Sequence, residues 1–159
     1  MKKFLKLFAI ALIGFAAVAC DKEDNQEPIE EQLTINYRNM RGVWSLTSLE
    51  GQQLEGDVYF YINFMLEDDI QKFVSYTNFN SAFSSMSEGV YTIEQNEDME
   101  MIISGVYYNQ FQAPWDSDYI VTGFTSTEME WRDTVSGESR TYVRVDEIPE
   151  DILSGTRAL

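Results

Sequence analysis

Between Arg41 and Asp146 the chain is a succession of short runs rich in Val, Ile, Phe, Tyr, Thr and Trp, cut at intervals by Gly, Asn, Asp and Ser. Sustained helical spacing of apolar residues is almost absent. Several runs instead alternate apolar and polar residues with the period of two that turns one face of an extended strand to a core. This pattern confines the domain to the all-β class. Eight strands are expected, at 42–49, 57–65, 69–77, 88–95, 98–105, 117–124, 127–133 and 139–146, followed by a short helical turn over 147–153 with Pro149 in its first turn. Consecutive short strands with mostly short links suit an eight-stranded up-and-down antiparallel β-barrel, because closing a sheet on itself removes the edges that invite aggregation. A two-sheet sandwich is the alternative.

The amino-terminal region has a different character. Lys2, Lys3 and Lys6 precede an apolar stretch over residues 5–18 that is too short for a stable membrane span but suits a secretory signal. It ends in Ala16-Ala17-Val18-Ala19 before Cys20, the only cysteine of the chain. This junction resembles the lipobox of bacterial lipoproteins, in which the leader is cut before the cysteine and the new amino terminus and thiol are acylated. The resemblance implies lipid attachment at Cys20 and a membrane partner through that anchor. A buried core thiol is the competing explanation, and the neighbouring Asp21-Lys22-Glu23-Asp24 speaks against it.

The acidic run after Cys20 resembles export signals of surface lipoproteins in Gram-negative bacteria, whereas an aspartate directly after the cysteine resembles an inner-membrane retention signal. The run continues past Asp21, which favours the outer membrane or cell surface; an ordinary linker is the remaining alternative. The expected organisation is a signal peptide over 1–19, a lipidated acidic tether over 20–38, a barrel over 39–148 and a carboxyl-terminal tail over 149–159.

Gly42-Val43-Trp44 at the first strand is similar to the G-x-W opening of lipocalins, and the stretch from Arg41 to Asp57 resembles the start of bacterial lipocalin-like lipoprotein domains. In that family the tryptophan crosses the barrel floor and an arginine of the last strand lies over its ring. The resemblance therefore assigns Gly42, Trp44 and Arg144 to the floor. The turn between the sixth and seventh strands reads Thr125-Ser126 rather than the T-D-Y-like motif of classical lipocalins, and their disulfide is missing. The wider lipocalin-like group is the better match.

In such a barrel the links after strands one, three, five and seven share the rim opposite the floor. Two of them, 78–87 and 106–116, are the longest and carry Phe79, Phe83, Met86, Tyr107, Tyr108, Phe111 and Trp115. Large apolar side chains in links mark a lid or a recognition surface, so these seven are the candidate ligand-binding residues. Alternation turns Phe60, Ile62, Phe64, Phe73, Tyr91, Ile93, Met101, Ile103, Tyr119, Val121, Met129 and Trp131 inward. Their bulk leaves two outcomes open: a pocket for one small hydrophobic or amphipathic ligand, or a barrel filled by side chains.

The composition excludes much chemistry. The chain has no histidine, so Ser-His-Asp and Cys-His catalysis and His-ligated metal sites are ruled out. No phosphate-binding loop or nucleophile elbow is present. Glu128 and Glu130 are expected to face water beside inward Met129 and Trp131, and Asp116 and Asp118 lack the further oxygen ligands a calcium site needs. With a formal net charge of −16, made more negative by loss of three lysines with the leader, the chain repels nucleic acid. The expectation is a non-enzymatic, cofactor-free and metal-free lipoprotein that binds a small apolar ligand. The alternative is a surface interaction protein meeting another envelope protein.

Overall fold

The structure, a computed structural model, describes residues 30–79, 81, 83–109, 111–155, 157 and 158. The leader, Cys20 and the first part of the tether lie outside the described residues.

The chain folds as a closed antiparallel barrel of eight strands. These are β1 (Gly42–Leu49), β3 (Phe60–Glu67), β4 (Ile70–Thr77), β5 (Ser85–Gln95), β6 (Met101–Tyr107), β7 (Tyr119–Thr122), β8 (Glu128–Asp133) and β9 (Ser139–Val145). Each pairs with the next in sequence, and β9 returns to β1 through Trp44 opposite Arg144, so the ring has no free edge along most of its length. A two-residue strand, β2 (Gln52–Gln53), folds back on the end of β1. The sandwich alternative is thereby excluded.

Strand alternation sets the core. Trp44 and Leu46 of β1, Ile62 and Phe64 of β3, Phe73 of β4, Met129 and Trp131 of β8 and Tyr142 of β9 are buried, while Glu128 and Glu130 between them are exposed. Burying a large apolar side chain contributes about 1.5–3 kcal/mol, so a slip of one residue in any strand would turn this contribution to water. The turn between β3 and β4 is held by Asp68 and Asp69, both at positive φ (51° and 62°), as a two-residue hairpin with right-handed strand twist demands.

Several strand ends differ from expectation for identifiable reasons. The strand expected at residue 57 begins at Phe60, because the Asn78 side chain accepts from the Tyr59 amide at 2.9 Å and donates to the Asp57 carbonyl at 2.8 Å, tying that stretch into a loop. The strand expected at 98 begins at Met101, because Asn96 Oδ1 accepts from the amides of Asp98 and Glu100 in a turn. β5 starts earlier than expected and takes in Met86.

Residues assigned to the tether are partly barrel. The Leu33 amide donates to the Phe124 carbonyl at 2.8 Å, and Leu33, Ile35 and Tyr37 pack on the core. The barrel unit therefore starts near Leu33 rather than residue 39. A single helical turn, α1 (Tyr37–Met40), is capped by Asn36, whose side chain accepts from the Asn39 amide. At the other end, Pro149 caps α2 (Glu150–Ser154), with Ile148 and Ile152 buried. The backbone of β10 (Arg157–Ala158) then pairs in parallel with Ser85 and Met86, the stretch of β5 that β6 leaves unpaired. The tail is thus part of the sheet.

Candidate functional site

One end of the barrel is shut. The Trp44 indole is fully buried and donates from Nε1 to the Met40 carbonyl at 2.8 Å. The Arg144 guanidinium lies 4.2 Å from the centre of the Trp44 ring. Its Nε donates to the Ser126 carbonyl at 2.8 Å, Nη2 to Asn39 at 2.7 Å, and Nη1 to Arg41. Gly42 makes this approach possible: its φ is +116°, and a Cβ there would sit 2.7 Å from Arg144 Nη1. Burial alone pulls the Arg144 pKa below its usual value.

Above this floor the barrel is hollow. A cavity of about 450 Å³ runs from Leu46, Ile62 and Phe73 to the opposite rim, where Glu50, Asp116 and Glu138 border it. Its volume lies in the range of small-molecule sites. The walls are aromatic: Trp131 stacks on Trp115 at 5.7 Å between ring centres and meets Tyr142 at 4.7 Å, and Phe73 meets Trp115 edge-on at 5.0 Å.

Trp115 reaches the wall from a link by a specific device. The 106–116 segment folds back along β6, with the Tyr107 amide donating to the Ala113 carbonyl and the Trp115 amide to the Gly105 carbonyl, both at 2.8 Å. The indole then lies where a side chain at residue 105 would be: a Cβ on Gly105 would stand 2.1 Å from the ring. Glycine is required there by close approach rather than by backbone conformation.

Of the seven rim residues singled out in the sequence, the structure brings three to the cavity. Trp115 is buried in its wall. Phe79 and Tyr107 line it half-buried, against Phe60 at 6.4 Å and Phe73 at 5.6 Å respectively. The other four do not line it. Phe83, Tyr108 and Phe111 are 57%, 47% and 79% exposed, and Met86 sits half-buried within β5. These four side chains lie outside its lining, although the same two links supply Phe79 and Trp115 to it.

Sequence reasoning missed Leu46, Ser75, Arg140 and Tyr142 on the walls. Each was within reach of the same alternation: Leu46 follows Trp44 by two, Ser75 follows Phe73 by two, and Tyr142 and Arg140 precede Arg144 by two and four.

The polar chemistry of the cavity is concentrated on β9. Tyr142 is fully buried and its hydroxyl makes no well-aligned hydrogen bond. Arg140 lies with its guanidinium 4.8 Å from the centre of the Tyr119 ring, and its buried Nε also lacks a partner. The Tyr142 hydroxyl and the Arg140 guanidinium attract each other and lie within hydrogen-bonding reach, although neither the hydroxyl nor Nε completes a well-aligned bond. Burial opposes the Arg140 charge, and interactions led by Tyr142 and Tyr119 more than offset it, so its pKa is raised. Burial pushes up the phenols of Tyr107, Tyr119 and Tyr142. Asp133, the acid beneath the adjoining turn, is occupied by the amides of Val135 at 2.7 Å and Ser136 at 2.9 Å.

Among the described residues no group of three or more His, Cys, Asp and Glu side chains is gathered that could hold a metal ion. No model of a known protein family matches this chain, and no curated protein matches it.

Proposed function

We propose that the protein is a lipid-anchored envelope lipoprotein of the lipocalin-like group that binds a small hydrophobic or amphipathic ligand and performs no catalysis. The observation that carries the binding role is the aromatic cavity of about 450 Å³, walled by Leu46, Ile62, Phe73 and Trp131 and bordered at the rim by water-exposed Glu50, Asp116 and Glu138. A barrel serving only as a scaffold for surface contacts would gain stability by filling this volume with side chains. The floor geometry of Gly42, Trp44 and Arg144 supports the family assignment, and the residues around Cys20 support the anchor and an outer-membrane or cell-surface location. The absence of histidine supports a non-catalytic role.

Native mass spectrometry of the full chain purified from its own host tests the binding role. A small apolar or amphipathic molecule travelling with the protein is expected. A ligand-free mass, together with no quenching of tryptophan emission by either charged or neutral apolar probes, overturns the reading. The same sample tests the anchor: acylated Cys20 at a cleaved amino terminus is expected, and an unmodified thiol on an intact leader refutes it.

A further inference from the structure

β5 extends further toward the rim than the strand it pairs with. Gly89 to Gln95 are matched with β6, and the next bond toward the rim runs from the Tyr108 amide to the Glu88 carbonyl at 2.7 Å. There the 106–116 link turns back along β6, so Ser85, Met86 and Ser87 have no partner in β6. β4 covers one edge of this stretch through Thr77, Tyr76 and Ser75. The other edge would present unpaired backbone groups of the kind that recruit a foreign strand. β10 takes that place, with Arg157 opposite Ser85 and Ala158 opposite Met86 in parallel.

The same rung leads to the cavity. Ser85 lies opposite Thr77, and the Thr77 hydroxyl accepts from the amide of Phe79 at 3.0 Å and donates to the Tyr59 carbonyl at 3.1 Å. Phe79 lines the cavity. β10 therefore sits at the end of a row, Arg157, Ser85, Thr77 and Phe79, that runs through backbone pairing into the mouth.

The arm that carries β10 is fixed separately. β9 ends at Val145, beside Arg144 on the floor, and α2 is held by buried Ile148 and Ile152. Two parallel rungs are a weak hold, because parallel pairing is less stable per residue than antiparallel and terminal segments open at little cost. The fixed arm keeps an opened tip near its site, so re-pairing is intramolecular and fast. We propose that β10 is a releasable latch on the rim: closed, it continues the wall past the point where β6 turns away and steadies Ser85, Thr77 and Phe79; open, it frees them, and its opening sets how fast a guest enters and leaves. The control of guest exchange rests on the binding role proposed above; the latch itself does not.

The test compares the unaltered chain with a chain ending at Gly155, which keeps α2, and with a full-length Arg157→Pro/Ala158→Pro variant, whose missing amides and fixed rings oppose strand pairing. Hydrogen exchange is read over Ser85–Ser87, and entry and release of phenylnaphthylamine, a neutral apolar dye, are followed by stopped flow. Both altered chains are expected to exchange at least about tenfold faster over Ser85–Ser87, as a locally opened segment does, while exchange over β1 and β8 holds. Dye entry and release are both expected to quicken at least about threefold, leaving affinity nearly unchanged, the mark of a gate rather than a contact. Unchanged exchange over Ser85–Ser87 overturns the latch. Faster exchange there with unchanged dye rates overturns its control of the mouth, and so does a rise in exchange spread over β1 and β8, which marks general loss of stability. No dye binding by the unaltered chain overturns the binding role and the control of guest exchange with it, while hydrogen exchange still decides the latch.

Discussion

The Arg144 guanidinium covers the Trp44 ring at 4.2 Å while bonding three carbonyls on two segments, Asn39 and Arg41 before β1 and Ser126 in the β7–β8 link. One side chain thus joins the residues before β1, the β7–β8 link and the last strand. Arg144→Ala is expected to cost about 2–4 kcal/mol, from lost charged hydrogen bonds and the cation–π contact. Arg144→Lys recovers only a minor part, since an ammonium cannot present a planar fork to three acceptors. Urea midpoints measured at unchanged m report both values.

Gly105 leaves its side-chain volume to the Trp115 indole. Gly105→Ala drives a methyl into that ring, and the rigid β6 backbone cannot yield, so Trp115 must leave the wall. A destabilisation of about 1–3 kcal/mol is expected, with a red shift of tryptophan emission as the indole meets water. Unchanged emission from the alanine variant would contradict the packing described.

The buried phenols set an alkaline limit. Tyr91 and Tyr142 have their pKa values raised from 10.0, chiefly by burial, so the folded state keeps their protons where the unfolded chain releases them. Their contribution to stability is therefore constant below about pH 10 and is lost as pH rises above that value. Denaturant midpoints followed from neutral to alkaline pH should show the decline, and Tyr142→Phe should weaken it.

Leu33 straps the amino-terminal segment to the floor through its amide and side chain. Hydrogen exchange should find the Leu33 amide protected, since its acceptor is the Phe124 carbonyl at 2.8 Å. Leu33→Asp should abolish that protection and cost about 1–2 kcal/mol, the scale of a half-buried leucine lost.

The barrel was legible in the sequence because alternation is a local signal. Trp44, Phe64, Phe73, Trp131 and their like announce an inward face from their own strand, whatever the partner. The site was legible only in part, for two physical reasons. Link residues carry no period, so nothing in 106–116 distinguishes Trp115, which enters the wall over Gly105, from Phe111, which stays outside. Polar residues on an inward face look like departures from a strand pattern: Arg140 and Ser75 read as surface, although their registers place them beside Trp131 and Ile62. The acidic character of residues 21–31 likewise masked Leu33, Ile35 and Tyr37, whose contacts are with Phe124, Tyr91 and other distant neighbours.

The segment leading into the barrel runs beneath Trp44, past Phe124 and Thr127, at the pole remote from the hollow. Chain arriving from the amino-terminal side therefore meets the barrel at its closed pole, like the stem of a cup, and leaves the aromatic bowl uncovered at the other.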